Sequence, residues 1–306
     1  MPAAPPAALP APARALLRHF RAQRPLRAGS LLITLFGDAI APRGGAVTLG
    51  SLIRLAAPFG LTERLVRTSV ARLARDGWLA ARRSGRRSEY RLTRRGAARF
   101  AEATRRIYGA APREWDGRWT LLLLAPGAGS ATLRAELTWL GFGQLQPLVL
   151  AHPGVSATQV RRWLRQLGAA RQTLLLQSIS DGLAADRRLA AQGWDLDELA
   201  RRYARFLARF APLEPVAARG LSAATAFLVR TLLIHEYRKI HLQDPLLPPA
   251  LLPRAWVGTA AYGLCRRLYA RLFAEAETHL TAHAHRLHGP LPAQQAAVRA
   301  RFGGIG

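Results

Sequence analysis

The thirteen residues LIHEYRKIHLQDP, 232–244, gather His235, Glu236, Tyr237, Arg238, Lys239, His241 and Asp244. Imidazole, carboxylate and cationic groups this close together could bind a metal, move a proton or grip an anion. A zinc hydrolase needs histidines at i and i+4 on one helix face, with a glutamate beside the first acting as base. His235 and Glu236 satisfy the beginning of that pattern, but the i+4 position is Lys239. His241 comes six residues on, about 240° around a helix, and cannot share a metal with His235. Metal-assisted hydrolysis is therefore excluded for this stretch, and two readings stay open. One is an internal polar network in which Glu236 pairs with Lys239 or Arg230; the other is a patch that recognises a ligand.

The remaining candidates for chemistry are thinner. His279 and His283 in THLTAHAHRLH share a helix face at i, i+4, yet no acid or cysteine accompanies them, so a solvated helix terminus is expected. The glycines of GFG, 141–143, follow a helical segment and do not open one, unlike a nucleotide loop. Trp115, Trp119, Trp139 and Trp163 suit core and interface packing. No Ser-His-Asp pattern or metal cluster can be assigned, so neither a catalytic group nor a cofactor is expected.

What the chain has in excess is positive charge. Lys+Arg 45 against Asp+Glu 18 gives +27, and Lys239 is the single lysine. An imbalance of this size points to a polyanionic partner, nucleic acid first and a membrane surface second. It is concentrated early: residues 1–110 hold 21 arginines against five acids, and residues 64–106 hold 14 against three. One cysteine, Cys265, excludes an intramolecular disulfide. No apolar run approaches the roughly 18–20 residues that span a bilayer. Cytoplasmic localisation and no membrane partner are expected. The opening MPAAPPAALPAPARALL is broken by prolines and lacks a basic leader, so residues 1–28 read as a disordered extension and not as a signal peptide.

The elements that must carry the charge follow from caps and periodicity. Thr48 caps a short helix, Gly60 makes a turn, and Thr62 caps a second helix running to about Asp76. On that second helix Val66, Val70 and Leu73 form an apolar stripe, while Arg64, Arg67, Thr68 and Arg75 lie opposite and Arg72 sits at the edge. GWLAARRSGRRSEYRLTRRG alternates around a turn at Ser84-Gly85 and reads as a hairpin with Arg82, Arg83, Arg86 and Arg87 at its tip. Thr93 caps the next helix. Helix, turn, helix and basic hairpin is the order of a winged helix-turn-helix, whose second helix enters the major groove. Arg64, Arg67, Thr68 and Arg72 are the candidates for base edges, since arginine pairs bidentately with guanine. Arg83, Arg86 and Arg87 are the candidates for phosphate or minor-groove contacts.

Further along, RWTLLLLA, SATLRAELTWLGFG, QLQPLVLAHP, SATQVRRWLRQLG and RQTLLLQSIS read as strand, helix, one or two strands, helix and strand. This β-α-β-β-α-β order suggests a ferredoxin-like domain. From about residue 195 the pattern is helical, in DLDELARRYARFLARFAPL, SAATAFLVRTLLIHEYRKIHL and GTAAYGLCRRLYARLFAEAETHLTAHAHRL. The expected fold class is α+β multidomain: a winged helix-turn-helix at 29–110, a ferredoxin-like domain at 111–182 and a helical domain at 183–306.

The segments from LLITLFGDAIAPRGG through WDGRWTLLLL and LTWLGFGQLQPLVLAHP to LLIHEYRKI resemble, in order and over most of the chain, the PaaX family of bacterial transcriptional regulators. The resemblance implies a repressor of phenylacetate-type catabolic genes, acting on a double-stranded DNA operator as a homodimer and released by an aryl acyl-CoA such as phenylacetyl-CoA. It implies dimerisation through the central domain, which is related to CRISPR-associated endoribonucleases. Nuclease activity is not expected, because LLLLAPG ends without a metal-binding acid and Asp116 precedes the strand. The resemblance also makes HEYRK a hallmark of the effector-response region. Arg238 would then suit a CoA phosphate and His235 or Tyr237 the acyl or thioester end, beside Glu236. Two alternatives remain. A non-specific nucleic-acid binder would bind with salt dependence but no sequence preference, and an enzyme of RNA or acyl-CoA metabolism would show turnover.

Overall fold

A computed structural model describes residues 9–24, 27–109, 114–127 and 130–305. The chain divides into two compact units, one built from 1–110, 204–241 and 259–306, the other from 111–203 and 242–258. The expected break after residue 110 coincides with a unit boundary. The expected separate helical domain at 183–306 does not appear as such: most of it belongs to the first unit, while 183–203 and 242–258 belong to the second.

The first unit begins with α1 (Ala11–Ala22) and α2 (Ala28–Leu35). α1 corrects the expectation of a disordered extension over 1–28. Pro12 stands in its first turn, where the missing N–H costs no hydrogen bond. Ala13, Leu16, Leu17 and Phe20 make a buried stripe at helical spacing. Residues 1–8 and 25–26, also within that expectation, lie outside the described residues. After α2 come one π-helical turn, Phe36–Ile40, and a 3-10 turn, Ala41–Arg43. Then follow β1 (Ala46–Thr48), α3 (Leu49–Ala56), α4 (Glu63–Arg75), β2 (Leu79–Ser84), β3 (Arg87–Leu92) and α5 (Arg94–Tyr108). β1, which the sequence pattern did not announce, joins the hairpin in an antiparallel sheet of order β1-β3-β2.

In the second unit β4 (Trp119–Leu124), α6 (Ala131–Trp139), β5 (Gly143–Gln146), β6 (Val149–Pro153), α7 (Ala157–Gln166) and β7 (Thr173–Ser178) follow the expected order. They form an antiparallel sheet of order β5-β6-β4-β7. The near-continuous apolar run of β4 is explained by burial on both faces. Leu122 and Leu124 pack with Leu137, Phe142, Val160 and Leu164 from the helical side. Trp119, on the other face, packs with Ala190 of α8 (Leu183–Gly193) and with Leu247 and Leu251.

The remaining helices are α9 (Leu196–Phe210), α10 (Glu214–Ala218), α11 (Ala223–His241) and α12 (Val257–His283). α11 is buried around almost its whole circumference from Thr225 to His235, the signature of a central helix. α12 runs into a short hairpin, β8 (His285–Arg286) with β9 (Gly289–Pro290), and a 3-10 segment, Ala296–Gly303, closes the described chain.

Candidate nucleic-acid interface and the buried HEYRK cluster

α4 is set by its two faces. Thr62 Oγ1 accepts from the Leu65 N–H at 3.3 Å and starts the helix, and Val66, Ser69, Val70 and Leu73 are buried. Arg64, Arg67, Thr68, Arg72 and Arg75 are all exposed. Arg67 is partly engaged, its guanidinium 2.7 Å from Glu63 on the preceding turn. Thr68 donates its hydroxyl to the Arg64 carbonyl at 2.9 Å, which leaves the lone pairs of its oxygen able to accept. Arg72 leans over α2: a Cβ placed on Gly29 would meet its Nη2 at 2.8 Å. Arg82, Arg83, Arg86 and Arg87 are exposed around the β2–β3 turn, where Gly85 takes φ 55°. Such a surface can grip a polyanion by charge and offer arginine forks to base edges.

The HEYRK residues lie on α11 and are largely inside. Arg238 donates from Nε to Thr34 Oγ1 at 2.7 Å and from Nη2 to both Ser30 O and Ser30 Oγ at 2.7 Å, clamping α11 to α2. Burial lowers its pKa to about 10, so it stays charged at neutral pH. His235 Nδ1 lies 3.0 Å from the same Thr34 hydroxyl, and its ring meets Phe20 edge-on at 5.5 Å. Its Nε2 is buried without a hydrogen-bond partner. Burial, helped by Arg238 and Lys239, holds this imidazole neutral, far below its ordinary range.

Glu236 pairs with Lys239 at 3.2 Å, as one of the sequence readings had it. The alternative partner is ruled out, because Arg230 points elsewhere. Tyr237 is buried, its hydroxyl 3.1 Å from His241 Nδ1 and its ring 5.6 Å from Phe206. His235 and Arg238 thus converge on Thr34, whereas Glu236 and Tyr237 serve other neighbours.

Spacing along the sequence did not reveal the cluster around Asp38. This carboxylate, in the π-helical turn after α2, accepts from Tyr108 Oη at 2.7 Å, Tyr269 Oη at 2.8 Å and Arg301 Nη1 at 2.9 Å. Arg230 Nε lies 3.1 Å away without the angle of a hydrogen bond. Burial alone would raise the Asp38 carboxyl, but Arg230, Arg301 and the two tyrosines carry it below the ordinary carboxylate value. Arg230 also donates to Glu277 at 2.7 Å, and Glu277 takes Arg43 as a further partner. The signal available in sequence was a lone acid inside the apolar run LLITLFGDAI, since a buried charge must find partners.

The other sequence candidates are occupied structurally. His279 and His283 stack at 4.2 Å, and burial, with the neighbouring imidazole, lowers His279 to about 4. Among the described residues no group of three or more His, Cys, Asp or Glu could hold a metal. Asp116 accepts from the Arg118 N–H before β4. In GFG, Gly141 makes a turn at φ 99°, and a Cβ on Gly143 would lie 2.5 Å from the Trp194 ring. Trp119 is core and donates to Asp186 at 2.7 Å, whereas Trp139 is exposed. No helix among the described residues is long and apolar enough to cross a membrane.

Comparison with known proteins finds three family matches in succession: PaaX-like protein over residues 27–96, PaaX protein central Cas2-like domain over 112–190, and PaaX-like protein C-terminal domain over 194–282. The transcriptional repressor PaaX of Escherichia coli strain K12 is 38% identical over 290 residues, 92% of each chain. Among solved structures, the uncharacterized protein Rv0674 from Mycobacterium tuberculosis is similar, with 24% identity, a TM-score of 0.48, and coverage of 80% of this chain and 96% of that one.

Proposed function

The chain belongs to the PaaX family of transcriptional repressors, and from that premise we propose that it is a sequence-specific repressor of an aromatic, phenylacetate-type catabolic operon, released from its operator by an aryl acyl-CoA such as phenylacetyl-CoA. A regulator of this family binds DNA and is not an enzyme. The observation that carries the finer reading is the division of α4 into a buried apolar face and an exposed face of Arg64, Arg67, Thr68 and Arg72, next to a hairpin tipped by Arg83, Arg86 and Arg87. The order α3, turn, α4, β2, β3 supports a winged helix-turn-helix. In that fold α4 lies in the major groove, its arginines and Thr68 reach base edges, and the hairpin arginines contact backbone phosphates. The β-α-β-β-α-β order and the β5-β6-β4-β7 sheet support a ferredoxin-like second unit. The cytoplasm, where the chromosome lies, is its place of work.

Effector release has a physical route in this reading. α2 is gripped by Arg238 of α11 at Ser30 and Thr34 and approached by Arg72 of α4 at Gly29. A ligand anion that takes Arg238, or an acyl group that takes the place of His235 or Tyr237, loosens the grip on α2 and shifts α4. Glu236, held by Lys239, closes the same helix surface. The effector must bind the DNA-incompetent state more tightly, because a ligand without preference shifts nothing.

Homodimerisation is supported by the edge strand β7, where Leu174 is 58% exposed, Leu176 40% and the following Ile179 73%. A two-fold dimer would read an inverted-repeat operator.

Fluorescence anisotropy on the promoter DNA upstream of its own gene, at physiological salt with scrambled competitor, tests the proposal. Specific binding released by phenylacetyl-CoA but not by free CoA is expected. Binding indifferent to the thioester removes the effector, and equal binding to all sequences favours a non-specific nucleic-acid protein.

A further inference from the structure

The β8–β9 hairpin stands beside the basic surface of the first unit and not apart from it. A cleft of about 540 Å³ is lined by Arg54 of α3, Arg67 of α4, Arg86 and Arg87 at the β2–β3 turn, and Arg286 of β8. No carboxylate lines it. Arg286 Nε lies 4.0 Å from Glu89, which is itself buried.

That glutamate fixes the far wall in position. Glu89 Oε2 accepts from the Leu287 N–H at 2.9 Å, and Ser51 Oγ accepts from the His285 N–H at 3.0 Å. Arg54 reaches back from α3 to donate to the His283 carbonyl at 3.2 Å. A buried carboxylate spent on a backbone N–H costs desolvation, so the hairpin is held at a defined place by paired groups. The result brings five guanidiniums from four elements to one concavity. Arg67 is already paired with Glu63 at 2.7 Å; an anion relieves the repulsion among the other four, and arginine forks match the oxygens of a phosphate.

We propose that this cleft is a phosphate-binding site for the DNA backbone, and that the C-terminal hairpin, through Arg286, is a contact strip of the operator complex in addition to α4 and the β2–β3 hairpin. The inference rests on the reading of the first unit as DNA-binding and adds to it a contact at Arg286, 199 positions after Arg87; the ligand chemistry is a phosphodiester, recognised without regard to base.

Arg286→Gln in the full chain tests it. Loss of one phosphate contact lowers the slope of log K against log salt by about 0.9 and weakens operator and scrambled DNA alike, by roughly tenfold at physiological salt. Arg286→Lys, which keeps the charge, restores the slope. Thermal melts of both variants matching the parent chain exclude a folding defect. An unchanged slope in Arg286→Gln overturns the proposal. So does saturable binding of inorganic pyrophosphate that is lost in Arg286→Gln while the DNA slope is unchanged, since the cleft would then serve a free phosphate. If the parent chain fails to prefer its operator, the sequence-specific reading falls, while the slope of Arg286→Gln on scrambled DNA still decides the fate of this site.

Discussion

Buried His235 makes folding stability depend on pH because it stays neutral in the folded chain while the unfolded imidazole titrates. The unfolded imidazole titrates near 6.5, and the folded one lies well below that value. As pH falls through 6.5 the unfolded chain takes up a proton that folded His235 refuses, so its contribution to stability is present above that pH and is lost on acidification. His279, lowered to about 4, acts in the same direction. His235→Gln keeps a donor or acceptor for Thr34 and cannot titrate. Its melting temperature is expected to fall less than the parent's between about pH 7 and about pH 5, measured by circular dichroism; parallel declines would show that His235 takes up its proton without penalty. Part of this chemistry was legible: the spacing of Glu236 and Lys239 on one helix announces their pair. Arg238 was legible only as a cation, because its partners Ser30 and Thr34 lie more than two hundred positions earlier. A linear pattern carries no trace of such a meeting.

Elements were readable where local chemistry determines them. Thr48, Thr62 and Thr93 cap their helices through their side chains, and each cap stands in the sequence as the residue that can accept those hydrogen bonds. α1 was missed because its prolines outweighed the stripe of Ala13, Leu16, Leu17 and Phe20. β1, β8 and β9 were missed because strands of two or three residues have too few positions to show alternation. Gly96 shows what element packing demands of a single side chain. A Cβ there would lie 2.3 Å from the Trp78 carbonyl oxygen, so α5 can approach the start of β2 only with glycine at this place. Gly96→Ala is expected to lower stability by about 1–3 kcal/mol, despite alanine's better helix propensity. Urea denaturation measures it, and a gain in stability would show that α5 has room to shift.

At the scale of the molecule, the sequence pattern located the boundary near residue 110 but not the return of 204–241 and 259–306 to the first unit. Apolar helices announce that they are buried, without saying against what. The second unit supplies the prediction proper to this scale. Leu174→Glu with Leu176→Glu places charge on the exposed apolar stretch of β7 and is expected to give a monomer in sedimentation velocity, with weakened operator binding; an unaltered dimer would move the interface elsewhere.

The order in which the chain is made gives the buried carboxylate of Asp38 a further meaning. Its partner Arg301 follows 263 positions later, which at ~5–20 residues per second leaves the nascent chain about 10–50 s without it. Arg230 emerges before the end of that interval, but until it closes the N-terminal segment holds an acid that lacks at least one of its two guanidiniums. The first unit therefore reaches its finished form only after translation has passed Arg301, and a chain that stops short of it leaves the Asp38 carboxylate incompletely paired.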